Sequence, residues 1–295
     1  MLPRRAAVLG SPIEHSLSPV LHTAAYAALG LAGWSYQAIE CDEAGLSGLL
    51  VGCGPDWAGL SLTMPLIRAV LPLLDRTDPV AVQAGAANTV VFGDGGRSGY
   101  NTDVPGMMAA LAGIGLAGTG LAEAGLAEAG LAGDRCSALI LGAGATACSA
   151  LVAARGLGLM AVTIAARDHA RAGDLRAAAG RLGMTVHLTG YGLLAGHPDV
   201  VISTVPAGAA DPVAERIAHG ALRPRFLLDV VYDPWPTRLA VAAAAAGAAV
   251  AGGFELLLHQ AAGQVELMTG QPAPLAAMRT AGLAALAAGG HSRNT

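Results

Sequence analysis

The sequence predicts an α/β protein of two domains, and three observations carry that expectation. Short apolar strands ending in glycine or small polar residues alternate with alanine-rich helical stretches along most of the chain. One of those strands, 138–141, runs into Gly142-Ala-Gly-Ala-Thr-Ala147 and then into a helical stretch, 148–156. The 295 residues, 54% hydrophobic and 13% charged, are enough for two packed cores.

Composition narrows the function classes. The net charge is −4 with no basic block, which argues against a nucleic-acid partner. No window reaches the roughly 18–20 strongly apolar residues of a membrane span. The richest, Leu239 to Val250, is alanine broken by Gly247 and reads as a buried helix leading into a strand. Gly10 and Pro12 interrupt the first apolar run, so no signal peptide is expected. Cys41, Cys53, Cys136 and Cys148 are scattered, without a Cys-x-x-Cys pair or a histidine at ligand spacing. Reduced thiols, no metal and a cytoplasmic location are the expectation.

The first hundred residues open with the strand 6–10 and the turn Ser11-Pro12-Ile13. Glu14-His15-Ser16-Leu17-Ser18-Pro19 follows, then a helix over 19–29. Ser18 suits an N-cap, with Pro19 at the first helical position, where its missing N–H costs nothing. Capping leaves Ser16 unexplained. Two hydroxyls two apart at a helix start also suit a carboxylate. Strands over 34–39 and 57–63 flank a helix over 43–51. On the second of these strands Ser61 and Thr63 share one face, open either to solvent or to a cleft. A further strand, 85–92, carries Asn88 near its start, where turn chemistry is the plainer reading.

The stretch Gly99-Tyr-Asn-Thr-Asp-Val-Pro-Gly106 is where one domain hands over to the next. Asp103 there either caps a helix over 107–116 or serves a cleft of the kind small ligands occupy. Beyond it, five-residue repeats near 113–133 read as a surface linker without chemistry.

The glycine turn at 142–147 follows a strand and opens a helix, and a second strand runs over 160–166. This is the pattern that brings backbone amides against a pyrophosphate. An NAD site would place Asp or Glu at the end of the second strand. Here Ala165-Ala166-Arg167-Asp168-His169-Ala170-Arg171 stands instead. Arg167 and Arg171 suit either a 2′-phosphate clamp or a solvated basic face, and the clamp, hence NADP, is preferred. Strands over 200–206, 226–232 and 248–252 and a helix over 253–268 complete the pattern.

With these pieces in order, the chain resembles the shikimate dehydrogenases nearly end to end. The stations are Gly10 to Pro19 with His22, Gly59 to Pro65, Gly85 to Thr89, and Asn101 to Asp103. They continue with Gly142 to Ala147, Tyr232 to Thr237, and Gly253 to Gln260. The resemblance implies NADP-dependent interconversion of 3-dehydroshikimate and shikimate, in aromatic amino acid biosynthesis. It implies a substrate domain of 1–104 with 253–295 and a Rossmann NADP-binding domain of 105–252. Ser16 and Ser18, with Tyr232 nearby, would hold the substrate carboxylate. Ser61, Thr63, Asn88, Asp103 and Gln260 would bond the ring hydroxyls. Gly142, Ala143, Gly144, Ala145, Thr146, Ala147, Arg167 and Arg171 would hold the cofactor, with Gly253 close to the nicotinamide. A monomer or a homodimer is expected.

Two departures stand out. Ser61 occupies a place where the family usually has Asn. Ile67 occupies the place of the family's lysine, the partner of Asp103 in moving the proton. Arg68 is adjacent, but one helical residue turns a side chain by about 100°. The sequence therefore implies a slowed enzyme. It leaves two alternatives, a paralogue acting on quinate or an amino-shikimate analogue, and a non-catalytic cofactor- or substrate-binding protein. His15, His22 and His259 are read as structural.

Overall fold

The computed structural model describes residues 3–116, 137–168 and 172–292. The expected linker, from residue 117 on, and Arg171 lie outside the described residues. The chain divides into two compact units, Met1–Thr102 with Leu257–Thr295, and Asp103–Leu256.

The first unit holds a six-stranded sheet in the order β2-β1-β3-β5-β6-β4. Its strands are β1 (Arg4–Gly10), β2 (Trp34–Glu40), β3 (Trp57–Leu62), β4 (Arg76–Thr77), β5 (Thr89–Gly93) and β6 (Gly96–Tyr100). β1 runs parallel to β2 and β3, and β5 runs antiparallel to β3 and β6. β3 is buried along its whole length, as a central strand with both faces covered should be. Helices α1 (Ser18–Ala28), α2 (Glu43–Gly52), α3 (Leu66–Ala69) and α4 (Pro79–Ala84) connect the strands. Local chemistry sets their starts: Asp42 accepts from the Gly45 amide at 2.8 Å, and Asp78 from the Val80 amide at 2.9 Å.

The second unit begins with α5 (Asp103–Gly113) and builds a parallel sheet in the order β12-β11-β10-β7-β8-β9. The strands are β7 (Ser137–Leu141), β8 (Ala161–Ala165), β9 (Val186–Thr189), β10 (Val200–Ser203), β11 (Phe226–Asp229) and β12 (Ala249–Ala251). That order, reversing beside the first strand, is the doubly wound dinucleotide arrangement. Its helices are α6 (Ala145–Gly156), α7 (Gly173–Leu182), α8 (Asp211–Ala218) and α9 (Arg238–Ala245). α6 is buried from Ala147 to Ala154, and its small side chains let it lie close on the sheet. Finally α10 (Gly253–Thr269) and α11 (Leu275–Ser292) follow. Both sheets bear out the α/β expectation.

Three elements differ from the sequence reading. α1 starts at Ser18 with Leu17 as its cap, because Ser16 N–H closes a turn on the Ile13 carbonyl at 3.0 Å. α5 starts at Asp103, not Met107. Pro105 falls in its first turn, where the absent N–H has no helical acceptor to lose. The reading also stopped at Phe92, whereas β5 and β6 form a hairpin across Asp94 and Gly95. That Asp-Gly pair was the available signal. Among the described residues no helix is long and apolar enough to cross a membrane.

Candidate active site

In the first unit the sheet face of Tyr36, Ala6, Val8, Gly59 and Ser61 follows from register. Tyr36 is level with Ala6, Ala6 with Gly59, and Val8 with Ser61. α10 lies over it. A Cβ at Gly59 would stand 2.9 Å from the Met268 side chain, so the glycine permits the close approach. Gln260, Gln264 and Met268 recur every four residues and therefore share one helical stripe.

Those two glutamines meet polar groups from the strands. Gln260 Oε1 accepts from Asn88 Nδ2 at 3.4 Å, and Gln260 Nε2 donates to the Leu257 carbonyl at 3.0 Å. Gln264 Nε2 donates to Thr89 Oγ1 at 3.1 Å and to the Asn88 carbonyl at 3.4 Å. Ser61 donates to Gln264 Oε1 at 2.8 Å and accepts from the Tyr36 hydroxyl at 2.6 Å. Asn88 Oδ1 receives the Thr102 amide at 2.8 Å, the Thr89 hydroxyl at 3.0 Å and the Thr102 hydroxyl at 3.1 Å. Ser61, Asn88, Gln260 and Gln264 are all buried. Thr63, beyond the strand end, is exposed and joins none of these bonds.

Ser16 and Ser18 sit at the start of α1. The Ser16 hydroxyl accepts from the Ser18 amide at 3.3 Å, and Ser18 is not the cap: Leu17 holds that place without a side-chain capping bond. Glu40 pins the preceding turn, taking the Ser11 hydroxyl at 2.5 Å and the Ile13 amide at 3.1 Å. Tyr36, whose phenol also interacts with Ser18, lies flat on His22, ring centroids 3.9 Å apart. Burial pushes the Tyr36 hydroxyl well above the ordinary phenol range. His22 Nδ1 donates to the Ser18 carbonyl at 2.9 Å. Burial holds that imidazole neutral, with a pKa lowered to about 4. Ile67 is buried at 8% exposure on α3, and its carbonyl accepts the Ala87 amide at 2.8 Å. Tyr36 and Gln264 escaped the sequence reading. A polar residue four after Gln260 on one helix was the only hint of the second.

The second unit presents a different chemistry. Gly142 adopts φ +110°, and a Cβ there would lie 2.6 Å from Thr204 Oγ1. Thr204 is itself tied to the Leu141 carbonyl at 2.7 Å. No side chain caps α6 at Gly144, and a Cβ on Gly144 would meet nothing within 4 Å. Ala143, Ala145, Thr146 and Ala147 complete this open, uncapped turn, which fits a phosphate group. Arg167 is exposed just past β8, and its charge acts on the neighbouring Tyr191 hydroxyl. The described strand end carries Ala165 and Ala166 ahead of Arg167, with no acid to take a ribose 2′-hydroxyl.

Around β11, Asp229 takes the Thr237 hydroxyl at 2.7 Å and the Val231 amide at 3.3 Å, closing the loop that carries Tyr232. Burial raises the carboxyl of Asp229 above its usual range. Burial, then the charge of Asp233, likewise raises the Tyr232 phenol. Gly253 donates to the Val231 carbonyl at 3.1 Å, and any side chain there would strike the Val230 backbone. Asp103, half-buried, is the first residue of this unit. Among the described residues no cluster could hold a metal ion.

Residues 8–90 match the shikimate dehydrogenase substrate binding domain, and residues 253–281 the shikimate 5′-dehydrogenase C-terminal domain. A shikimate dehydrogenase (NADP(+)) of Moorella thermoacetica is 34% identical over 281 residues, covering 92% of this chain and 90% of its own. The chain belongs to the shikimate dehydrogenase family. Among solved members, Mycobacterium tuberculosis shikimate dehydrogenase superposes with a TM-score of 0.80 at 40% identity, over 96% of this chain and 100% of that one. The Thermus thermophilus shikimate 5-dehydrogenase, solved with NADP(H) and shikimate, gives 0.77 at 32% identity, over 96% and 99%.

Proposed function

We propose that this chain interconverts 3-dehydroshikimate and shikimate with NADP, and that Asp103 carries the proton. The observation that supports it most is the buried amide cluster of Asn88, Gln260 and Gln264, whose first member lies inside the matched substrate-binding segment. In this reading residues 1–104 with 253–295 form the substrate domain and 105–252 the dinucleotide domain.

Each residue has a task. Ser16 and Ser18 at the start of α1 hold the carboxylate, where the helix favours negative charge, and the same task is assigned to Tyr232. Thr63, Ser61, Asn88 and Gln260 surround the ring hydroxyls. Gly142 to Ala147 hold the pyrophosphate, Arg167 and Arg171 the 2′-phosphate, and Gly253 is assigned to the nicotinamide end. Bound NADP supplies or takes the hydride. Asp103 takes the proton from the reacting hydroxyl and returns it in the reverse direction. Ile67 has no proton to share, and the Arg68 guanidinium does not release one at working pH. Loss of a positioned acid–base group costs about 10²–10⁴ in rate, so this is a slow member of its family.

NADP⁺ reduction with shikimate, followed for the unaltered chain and for Ile67→Lys, tests the proposal. The substitution should raise kcat by about 10²-fold, and Asp103→Asn should lower it in both backgrounds. Absence of turnover in both chains overturns it.

A further inference from the structure

The first unit's sheet has a second end, and a cavity opens there. β1 and β3 run parallel, so Arg4 and Trp57, their first residues, lie at the same end. That end is about 20 Å of strand from Gly10, which leads on to Ser16. The turn of the β5–β6 hairpin reaches it too, because β5 runs antiparallel to β3. The cavity measures about 410 Å³, a size small ligands occupy, and Leu50, Trp57 and Phe92 wall it beside Arg4 and Arg97.

The charges around this cavity are unevenly matched. Arg97 is offset by Asp75, whose Oδ2 takes the Arg97 amide at 2.8 Å and the Arg97 Nε at 3.4 Å. Gly96, at φ +88°, leaves room for that carboxylate, which a Cβ there would strike. Asp94, at the hairpin turn, is exposed, where solvent and salt screen its charge. Arg5 lies over the Trp57 ring at 4.6 Å and pairs with Asp56 at 3.4 Å. Arg4 has no such match. Its Nη2 donates to the Trp57 carbonyl at 2.6 Å, its Nε is buried without a partner, and among the described residues no carboxylate pairs with it. A carbonyl takes one N–H and neutralises nothing, so a fixed cation remains on the cavity wall. A guanidinium so placed favours a carboxylate, whose planar geometry matches its own. We propose that this cavity is a second ligand site, for a small monocarboxylate with an apolar ring. Its carboxylate meets Arg4, and its ring lies against Trp57 and Phe92. The proposal is independent of the dehydrogenase reading, which gives none of these residues a task.

Benzoate is the probe, and the indole N–H resonance of Trp57 reports its arrival. The chain has three tryptophans, and Trp57→Phe identifies the signal in an isotope-labelled sample. Benzoate should shift it saturably with a dissociation constant of about 1–10 mM, as expected of so small a ligand. Benzyl alcohol and benzylammonium, alike in size but without negative charge, should bind about tenfold more weakly or worse. Arg4→Met keeps the stem but not the charge and should weaken benzoate about tenfold or more, and Arg4→Lys should weaken it less. Unchanged Trp34 and Trp235 resonances in both variants show that they are folded. The shift should survive Ser16→Ala combined with Ser18→Ala, and its loss there would assign the benzoate to the other end of the sheet and overturn the proposal. Absence of a saturable shift in the unaltered protein also overturns it, as does benzyl alcohol or benzylammonium binding as tightly as benzoate. Undiminished benzoate binding by folded Arg4→Met does the same.

Discussion

Acidification from pH 7 to pH 4 should weaken this fold by about 3 kcal/mol through one side chain, His22. The ring is fully buried between Ser18 and Tyr36, and Nδ1 is already used on the Ser18 carbonyl. A second proton would have to enter at Nε2, which is buried without a hydrogen-bond partner. Burial therefore lowers the pKa from 6.5 to about 4, opposed only by the Ser18 bond. A histidine depressed in the folded chain binds its proton more readily when unfolded. Its contribution is whole above pH 6.5 and is lost as pH falls toward 4. At about 1.4 kcal/mol per pH unit, that window is worth about 3 kcal/mol. The control is His22→Phe, which keeps a ring against Tyr36 but cannot titrate. Urea unfolding of both proteins at pH 7, 6, 5 and 4 reads the effect as a difference between two profiles. Profiles that run parallel across the window would refute the reasoning.

Other consequences are testable in the same spirit. Gly253→Ala places a methyl group against the Val230 carbonyl and should destabilise the chain by about 2 kcal/mol or more, measured as a fall in Tm. Arg167→Ala should weaken NADP⁺ binding by about 10- to 100-fold and leave NAD⁺ binding alone, a selectivity read by titration of both nucleotides. For Asp229 the sign is opposite to that of His22. Its folded pKa is raised, so stability falls as pH climbs from the ordinary carboxylate range through the raised value. Asp229→Asn should remove that fall, and equal pH dependence of the two proteins in thermal unfolding would count against it.

What could be read from the chain alone was whatever is encoded within a few residues. A strand, a glycine turn and a helix start are contiguous at 138–156, so the dinucleotide half was visible without coordinates. The strand end at Ala165 and Ala166 was equally plain. Features that depend on register were not. Ser61 and Thr63 share a face by alternation, yet β3 ends at Leu62, so Ser61 is buried and Thr63 is not. Tyr36 lies 25 residues from Ser61, and Gln264 lies 203 from it. Nothing local pairs them. Their meeting needs the order β2-β1-β3 and the docking of α10, both of which are tertiary. Ser18 lost its expected capping place for a smaller reason, since one turn closing at Ile13 moved the helix start by a single position.

Gly59 sets how closely α10 can seat on the sheet. A methyl group added there would press on the Val90 carbonyl at 2.6 Å and on Met268 at 2.9 Å. The helix bearing Met268 also carries Gln264 and Gln260, one and two turns earlier, so pressure at the far end would tilt the whole amide wall. Bulk at residue 59 would thus be felt at Gln264 and Gln260 with neither side chain changed.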